Sequence, residues 1–256
     1  MQDLKISIIQ TNQIWENKKA NFQNFEKLLE QYVDSDILIF PEMFHTGFTM
    51  NTQEMAESMN GLGMDWLIFQ AKKWNTVLIA SLIIEDEESY YNRFVFVRPT
   101  GEIDFYNKQK LFTLAGEDHY FTKGESNSLI SFKGWKILPQ ICYDLRFPEQ
   151  CRNKLNQLGE PTFDLIIYVA NWPKKRSLHW KSLLRARAIE NQSYVVGVNR
   201  IGSDANNLEY AGDSMIIDPL GEEVLNCYNH SGLFNGILKH EELIKTRVDL
   251  PFLKDQ

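Results

Sequence analysis

The chain has 256 residues, of which 43% are hydrophobic, and it carries a formal net charge of -7 at pH 7. This length and apolar content can fill one large core, so we predict a single domain over residues 1–256. The acidic balance disfavours nucleic acid or an anionic membrane as a partner, because phosphate binding requires a concentrated basic face.

The first half of the chain alternates short apolar runs with longer amphipathic ones. Two alternating segments, YYNRFVFVRP and EIDFYNKQ, are joined by Thr100-Gly101, which is typical of a hairpin turn. This hairpin interrupts what would otherwise be a parallel β-α-β pattern. The other predicted elements are strands at LKISIIQ, DILIF and TVLIASLII, and helices from Asn17 to Val33 and from Asp65 to Trp74.

The second half repeats this order and closes with a hairpin, DSMIIDPLGEEVL, that turns at residues 219–221. Two similar halves of buried strands with outer helices predict an α/β fold in which two sheets pack face to face, a four-layer α-β-β-α sandwich. The other predicted elements are strands at WKILPQICYD, FDLIIYVAN and SYVVGVNR, a helix that begins near Phe147-Pro148-Glu149, and a helix from Ser177 to Gln192.

Glu42 lies where a strand must end, because Pro41 follows the apolar run of residues 37–40. In α/β folds, ligands tend to bind at the carboxyl ends of strands. A carboxylate between Met43 and other apolar side chains would be partly desolvated, which suits a general base near neutral pH. An ordinary loop acid is the alternative for Glu42.

Cys142 ends a strand and precedes a tight turn. A thiol at such an elbow gains from free backbone N–H groups and a helix dipole, both of which favour the thiolate and can bind an oxyanion. A buried core cysteine is the alternative, and we interpret Cys151 and Cys227 in that way. Three cysteines without C-x-x-C spacing indicate neither a disulfide framework nor a zinc site, and a reducing cytoplasm is the simplest location.

Lys108 lies in the segment FYNKQKLF, whose aromatic residues allow one lysine to point inward toward an anion. Lys110 is the competitor, and a solvated lysine is the alternative for both. The five histidines show no metal-binding spacing, and no serine-hydrolase elbow or nucleotide-binding glycine motif occurs. The residues therefore give no support for a metal site or a nucleotide cofactor, while a Cys/His pair stays open because its partners need be close only in space.

Three motifs in order, PEMF with Glu42, YNKQKLF with Lys108 and ICYDLRFPE with Cys142, resemble the nitrilase superfamily of carbon-nitrogen hydrolases. The resemblance covers nearly the whole chain, because VANWP, SLHWKSLLRARAIENQ, NRIGSD and GDSMIIDPLGE are similar to later blocks of the family. It implies an α-β-β-α sandwich that dimerises and a Glu-Lys-Cys site without a cofactor. It also implies a second site glutamate, and Glu117 lies at the corresponding place.

The segments YVANWP and SLHWKSLLRARAIENQ are most similar to the ω-amidase branch. This implies a small-molecule amide as partner, with hydrolysis of the ω-amide of 2-oxoglutaramate or 2-oxosuccinamate to the acid and ammonia. The alternatives are an aliphatic amidase, a carbamoylase or a nitrilase of the same superfamily. A nonreactive binding protein that kept the fold is the alternative outside enzymes.

In the implied mechanism, Glu42 takes the Cys142 proton, and Lys108 with the backbone N–H of Tyr143 holds the oxyanion. Glu117 orients water or the substrate.

The substrate contacts are expected beyond the nucleophile. Arg146 would clamp a free carboxylate with a bidentate pair, and an ion pair with Asp144 or Glu149 is the alternative. Asn171 and Trp172, just past the FDLIIYVAN strand, would supply a hydrogen bond and an apolar wall. Possible rim residues are Phe48, His179 and Trp180.

Overall fold

A computed structural model describes residues 2–32 and 34–255 of the chain. Within these ranges, two six-stranded sheets pack face to face and helices cover their outer sides. The predicted α/β fold with four α-β-β-α layers is therefore confirmed. No helix in the described ranges is both long enough and apolar enough to cross a membrane.

The first sheet combines strands from the first half of the chain with one strand from near its end. Its strands are β1 (Leu4–Gln10), β2 (Ile37–Ile39), β3 (Val77–Asp86), β4 (Ser89–Val97), β5 (Ile103–Asn107) and β14 (Gly232–Leu238). The order is β14-β1-β2-β3-β4-β5, in which β1, β2 and β3 are parallel and the other neighbours are antiparallel. The predicted first hairpin is the β4–β5 pair.

The second sheet has the same parallel centre and antiparallel edges. Its strands are β6 (Ile130–Phe132), β7 (Trp135–Ile141), β8 (Leu165–Val169), β9 (Tyr194–Val198), β12 (Met215–Ile217) and β13 (Glu223–Asn226). The order is β13-β12-β9-β8-β7-β6, with β7, β8 and β9 parallel. The predicted closing hairpin is the β12–β13 pair, and β10 (Ile201–Ser203) with β11 (Glu209–Ala211) forms a separate ribbon.

Helices α1 (Lys18–Leu29) and α3 (Leu62–Trp74) cover the first sheet, and α4 (Ser177–Asn191) covers the second. The remaining α-helices of the described ranges are α2 (Thr52–Met55) and α5 (His240–Asp249). Between the sheets lies a core that no water reaches, and each aliphatic side chain buried there stabilises the fold by about 1.5–3 kcal/mol. This central core includes Ile8, Ile39, Ile79, Phe94, Ile137, Ile167, Val169 and Val196.

Two predicted helices differ from the structure. The first helix ends at Leu29 rather than Val33, and Val33 lies outside the described residues. The helix expected to begin near Phe147-Pro148-Glu149 does begin at Pro148, but it is a 3-10 helix of only four residues, Pro148–Cys151, and a separate 3-10 helix, Cys142–Arg146, precedes it. The reason is Pro148, whose ring disfavours helical backbone in the preceding residue and so separates the two turns.

Candidate active site

The site lies where strands from both sheets end. Glu42 follows β2, Lys108 directly follows β5, and Cys142 directly follows β7. The last residue of β7, Ile141, pairs with Val169 at the end of the parallel strand β8, so the segments that leave these two strands run side by side. Ligands bind at such carboxyl ends in open α/β sheets.

Lys108 joins the two glutamates in a buried cluster. Its Nζ lies 3.1 Å from Glu42 Oε1, and 2.8 Å and 2.9 Å from the two carboxylate oxygens of Glu117. All three residues are at most 1% exposed. Burial alone would lower the pKa of Lys108, but the charges of Glu117 and Glu42 outweigh it and raise that pKa above its ordinary value. Lys108 therefore stays protonated.

The competing lysine points elsewhere. The Lys110 ammonium lies 3.7 Å from Glu149 and 4.7 Å from the centre of the Phe147 ring, and its side chain is partly exposed. Lys108, and not Lys110, is therefore the lysine that reaches the buried carboxylates.

Glu42 is fixed by amide groups from three separate segments. Asn92 Nδ2 donates to Glu42 Oε1 at 2.8 Å, and the backbone N–H of Asn171 donates to Oε2 at 2.8 Å. The side chains of Asn171 and Gln13 donate to the Glu42 carbonyl oxygen at 2.6 Å and 2.9 Å. Because Oε1 also accepts from Lys108, Oε2 is the oxygen with spare capacity to accept a further proton.

Cys142 adopts a left-handed backbone conformation, with φ of 43°, and is partly exposed. Desolvation and the negative charge of Glu42 raise the pKa of its thiol well above the ordinary value, while Lys108 opposes this shift. The expectation that the elbow favours the thiolate is therefore wrong for the resting site. The physical reason is that burial and the neighbouring Glu42 carboxylate both disfavour the charged thiolate.

Nearby charges act on the Cys142 thiol, but among the described residues no proton acceptor is hydrogen-bonded to it. Glu42, Lys108 and Glu117 all act on its charge state. Among residues 2–32 and 34–255, neither these groups nor any histidine forms a hydrogen bond with the Cys142 sulfur. The described contacts therefore favour a Glu/Lys environment over a Cys/His pair.

Asp144 ties the nucleophile segment to the lysine segment. Its carboxylate accepts from the backbone N–H groups of Ile141 and Lys110 and from the Tyr106 hydroxyl, each at 2.9 Å. Complete burial raises the pKa of Asp144 to about 6. The ion pair of Arg146 with Asp144, considered above, does not form, because this carboxylate faces backbone donors instead.

A cavity of about 810 Å³ opens above the cluster. Lys108 and Cys142 lie in its wall, whereas Glu42 and Glu117 are beneath the surface. The volume suits a small-molecule ligand. The cavity also contains these predicted contact residues: Phe48, Tyr143, Arg146, Asn171 and Trp172.

The predicted contact residues have distinct surroundings. The Tyr143 ring packs against Phe112, with the ring centres 4.9 Å apart. The Arg146 guanidinium lies 4.6 Å from the Trp172 ring centre and 3.4 Å from His179 Nδ1. Glu149 pairs with Lys110, so the second ion pair considered for Arg146 does not form either.

Asn171 and Trp180 differ from expectation. The Asn171 amide hydrogens face the Glu42 carbonyl, so this part of the side chain positions Glu42 rather than a substrate. Its Oδ1 is buried and has no hydrogen-bond partner among the described residues. Trp180 is wrong as a rim residue, because it is 1% exposed and its Nε1 donates to the Asp213 carbonyl within the core.

Asn92, Gln13 and Asp144 are site residues that the sequence reasoning missed. A weak signal exists for Asn92, because asparagine is unfavourable in the middle of a strand and a polar residue there needs a partner. Nothing in the sequence around Gln13 indicates its contact with the Glu42 loop.

Comparisons with known proteins agree with this geometry. The carbon-nitrogen hydrolase family model matches residues 5–232. The chain is 41% identical to omega-amidase YafV of Escherichia coli K12 over 230 residues, which covers 90% of this chain and 87% of the relative. It is 32% identical to 2-oxoglutaramate amidase of Bacillus subtilis 168 over 254 residues, which covers 98% of this chain and 96% of the relative.

A solved structure extends the similarity to three dimensions. It is XC1258 from Xanthomonas campestris, a CN-hydrolase superfamily protein with an arsenic adduct in the active site. The TM-score is 0.97 at 37% sequence identity, and the match covers 100% of this chain and 98% of that one. The resemblance to the nitrilase superfamily is therefore confirmed: the chain belongs to the carbon-nitrogen hydrolase family and is a hydrolase that acts on carbon–nitrogen bonds.

Proposed function

We propose that this chain is an ω-amidase that converts 2-oxo dicarboxylic acid monoamides, such as 2-oxoglutaramate and 2-oxosuccinamate, to the acid and ammonia. The names of two relatives support this substrate class. The single observation that carries the proposal is one cavity that holds the Cys142 thiol, the protonated Lys108 and the Arg146 guanidinium. These groups provide a nucleophile, an oxyanion partner and a partner for a free carboxylate.

In the first half-reaction, the Cys142 sulfur bonds to the amide carbon while its proton passes to Glu42 Oε2. Transfer accompanies attack because the resting thiol keeps its proton. The carbonyl electron pair moves to oxygen, where the Lys108 ammonium and the backbone N–H of Tyr143 stabilise the negative charge. Glu42 then returns the proton to the nitrogen, the carbon–nitrogen bond breaks, and ammonia leaves a thioester on Cys142.

In the second half-reaction, Glu42 takes a proton from water as the water oxygen bonds to the thioester carbon. The tetrahedral intermediate expels the sulfur, which regains a proton from Glu42, and the acid is released. Glu117 contributes by holding Lys108 with both carboxylate oxygens, and through that contact it orients the substrate. Trp172 forms an apolar wall of the cavity, and Asn171 Oδ1 is the free acceptor for the substrate amide.

The test is a substrate panel with ammonia detection. The panel contains 2-oxoglutaramate, 2-oxosuccinamate, a neutral aliphatic amide, a nitrile and a carbamoyl compound. We expect the two oxo acids to have the highest kcat/KM. If the neutral amide, the nitrile or the carbamoyl compound has the highest kcat/KM, the chain has one of the alternative activities within the family.

A variant series tests the nucleophile itself. Cys142→Ala should abolish turnover and keep the circular dichroism spectrum, whereas Cys151→Ala should retain activity because Cys151 is buried away from the cavity. An electrophile that labels Cys142 stoichiometrically would argue against the nonreactive binding protein. Near-normal turnover in Cys142→Ala would remove the proposed mechanism.

We also propose that the protein is a cytoplasmic homodimer with one domain over residues 1–256. A thiol nucleophile works only when it is reduced, which favours the cytoplasm. The exposed face of α4 carries Leu178 and Ile189, and Leu220 is exposed nearby, which favours an apolar contact between two copies. Light scattering tests the homodimer, calorimetry tests the single domain, and cell fractionation tests the location. A monomer, two calorimetric transitions or a secreted protein would contradict the corresponding statement.

A further inference from the structure

Two arginines, rather than one, face the active-site cavity. Arg146 lies in the 3-10 helix that begins at Cys142, and Arg176 ends the 3-10 helix Lys174–Arg176 that precedes α4. Both line the cavity that contains the nucleophile. Burial lowers the pKa of the Arg146 guanidinium, and the positive charge of Arg176 lowers this pKa further. The two guanidinium groups are therefore close enough to interact electrostatically.

Aromatic rings hold both guanidinium groups in place. Arg146 lies 4.6 Å from the centre of the Trp172 ring, and Arg176 lies 5.5 Å from the centre of the Phe112 ring. The indole N–H of Trp172 donates to the Arg176 carbonyl oxygen at 2.8 Å, which joins the two arginine segments. Cation–π contacts of this kind orient a guanidinium without neutralising it.

Most arginines of the described residues have a carboxylate counter-ion, but Arg146 and Arg176 do not, and neither does Arg200, which is fully buried and donates to carbonyl oxygens. Within the described ranges, no carboxylate lies within 4 Å of Arg146 or Arg176, whereas six other arginines have one. Those six are Arg93, Arg98, Arg152, Arg185, Arg187 and Arg247.

The acids near the cavity are already engaged. Glu42 and Glu117 both pair with Lys108. Asp204 lines the cavity, but its oxygens accept from the backbone N–H groups of residues 206 and 208 and from the Tyr210 hydroxyl. Within the described ranges, none of these acids pairs with Arg146 or Arg176, so both guanidinium groups are available to a ligand's acid end.

We propose that Arg176 acts with Arg146 as a charge filter that accepts a 2-oxo acid and rejects the corresponding 2-amino acid. This inference rests on the proposed function and identifies which side chain sets its selectivity. A 2-oxo acid offers only acceptor oxygens at carbons 1 and 2, so two guanidinium groups can share them. Glutamine places an ammonium at carbon 2, and that ammonium would face the two like charges of Arg146 and Arg176.

The kinetic test uses Arg176→Gln, with the exposed neighbour substitution Lys175→Gln as its matched control. The substrates are 2-oxoglutaramate, glutaramate, which has hydrogens at carbon 2, and glutamine. Arg176→Gln should raise the KM for 2-oxoglutaramate about tenfold or more and lower the kcat/KM ratio of 2-oxoglutaramate to glutamine at least tenfold. Lys175→Gln should leave the KM for 2-oxoglutaramate and this kcat/KM ratio within about twofold of the wild-type values.

Two further variants separate charge from shape. Arg176→Lys should keep most of the discrimination against glutamine, because the charge remains. Arg146→Gln should raise the KM for both 2-oxoglutaramate and glutaramate, because both substrates have a carboxylate. An unchanged selectivity ratio in Arg176→Gln, or an equal change in Lys175→Gln, would overturn the proposal.

A binding measurement keeps this inference separate from the proposed function. Calorimetry with Cys142→Ala and with the double variant Cys142→Ala/Arg176→Gln gives the Kd of 2-oxoglutarate. We expect the Kd to rise at least tenfold in the double variant, and an equal Kd in the two proteins would refute the charge filter. If the wild type does not hydrolyse 2-oxoglutaramate, the proposed function fails while this binding result still decides the role of Arg176.

Discussion

Lys108 and Glu117 form a bidentate ion pair, with both carboxylate oxygens within 2.9 Å of the ammonium nitrogen. Glu117 Oε2 also accepts from the backbone N–H of Phe112 at 2.6 Å. The position of the lysine is therefore set by a carboxylate that is itself fixed to the backbone. A group held in this way stabilises developing charge without having to reorganise during the reaction.

Replacing Glu117 should therefore affect turnover more than binding. Glu117→Gln removes one of the two charges that keep Lys108 in place, and we expect kcat to fall about 10–100-fold with a change in KM of about threefold or less. The neighbouring Asp118→Asn is the control, because Asp118 is exposed and should leave kcat within about twofold. A Glu117→Gln enzyme with normal kcat would contradict the positioning role.

Lysine substitutions test which ammonium serves the site. Lys108→Gln removes the buried cation and should lower kcat about 100-fold or more, because an oxyanion loses its charged partner. Lys110→Gln breaks a partly exposed pair with Glu149 and a contact with the Phe147 ring, so kcat and the melting temperature should stay close to the wild-type values. Equal losses in the two variants, measured by steady-state kinetics, would show that the assignment is wrong.

The titration of Cys142 depends on Glu42. Because the negative charge of Glu42 contributes to the raised pKa of the thiol, Glu42→Gln should lower that pKa. Glu42→Asp keeps the charge and should retain more of the shift. The thiolate absorbance at 240 nm, followed against pH and corrected with Cys142→Ala, measures both. A thiol pKa in Glu42→Gln at or above the wild-type value would rule out this electrostatic coupling.

Asp144 predicts a specific dependence of stability on pH. Its pKa is about 6 in the folded protein, above its ordinary value of 3.8, so protonation favours the folded state. The contribution is complete below pH 3.8 and is lost as pH rises through 6. The free energy of unfolding of the wild type minus that of Asp144→Asn should therefore fall by about 2 kcal/mol from pH 4 to pH 7.

Urea denaturation at several pH values gives this difference. Taking the difference between the two proteins cancels the titration of other groups. A difference that is constant or rises with pH would mean that the Asp144 carboxylate is more stable as the charged form. The three hydrogen bonds that it accepts would then outweigh its burial.

The sequence was sufficient to place Glu42 and Cys142, because each follows an apolar run that can only be a buried strand. Local sequence did not choose between Lys108 and Lys110, since both have aromatic neighbours; the family resemblance indicated Lys108, and the fold shows that Lys108 meets the carboxylates. The thiol pKa also depended on a group distant in the chain. Local elbow geometry indicated the thiolate, whereas Glu42, brought close from the other sheet, raises the pKa.

Strand β14 could not be predicted from the sequence. The segment of β14 contains Gly232, Asn235 and Gly236, which are typical of turns, so its pairing with β1 could not be predicted locally. A Cβ on Gly236 would lie 2.7 Å from Ile216 Cδ1, so a larger residue there would require the end of the Ile216 side chain in the second sheet to shift. Tertiary contact, rather than local propensity, determines this strand.

The pairing of β14 with β1 also has a consequence for protein synthesis. Leu4 and Leu238 are partners in the same antiparallel ladder, so the first sheet cannot be completed until residues up to Leu238 have left the ribosome. Until then, β1 presents the apolar edge LKISIIQ with unpaired backbone groups on one side. Such an edge is a template for pairing with other chains, so the unfinished polypeptide is the form of this enzyme most exposed to aggregation.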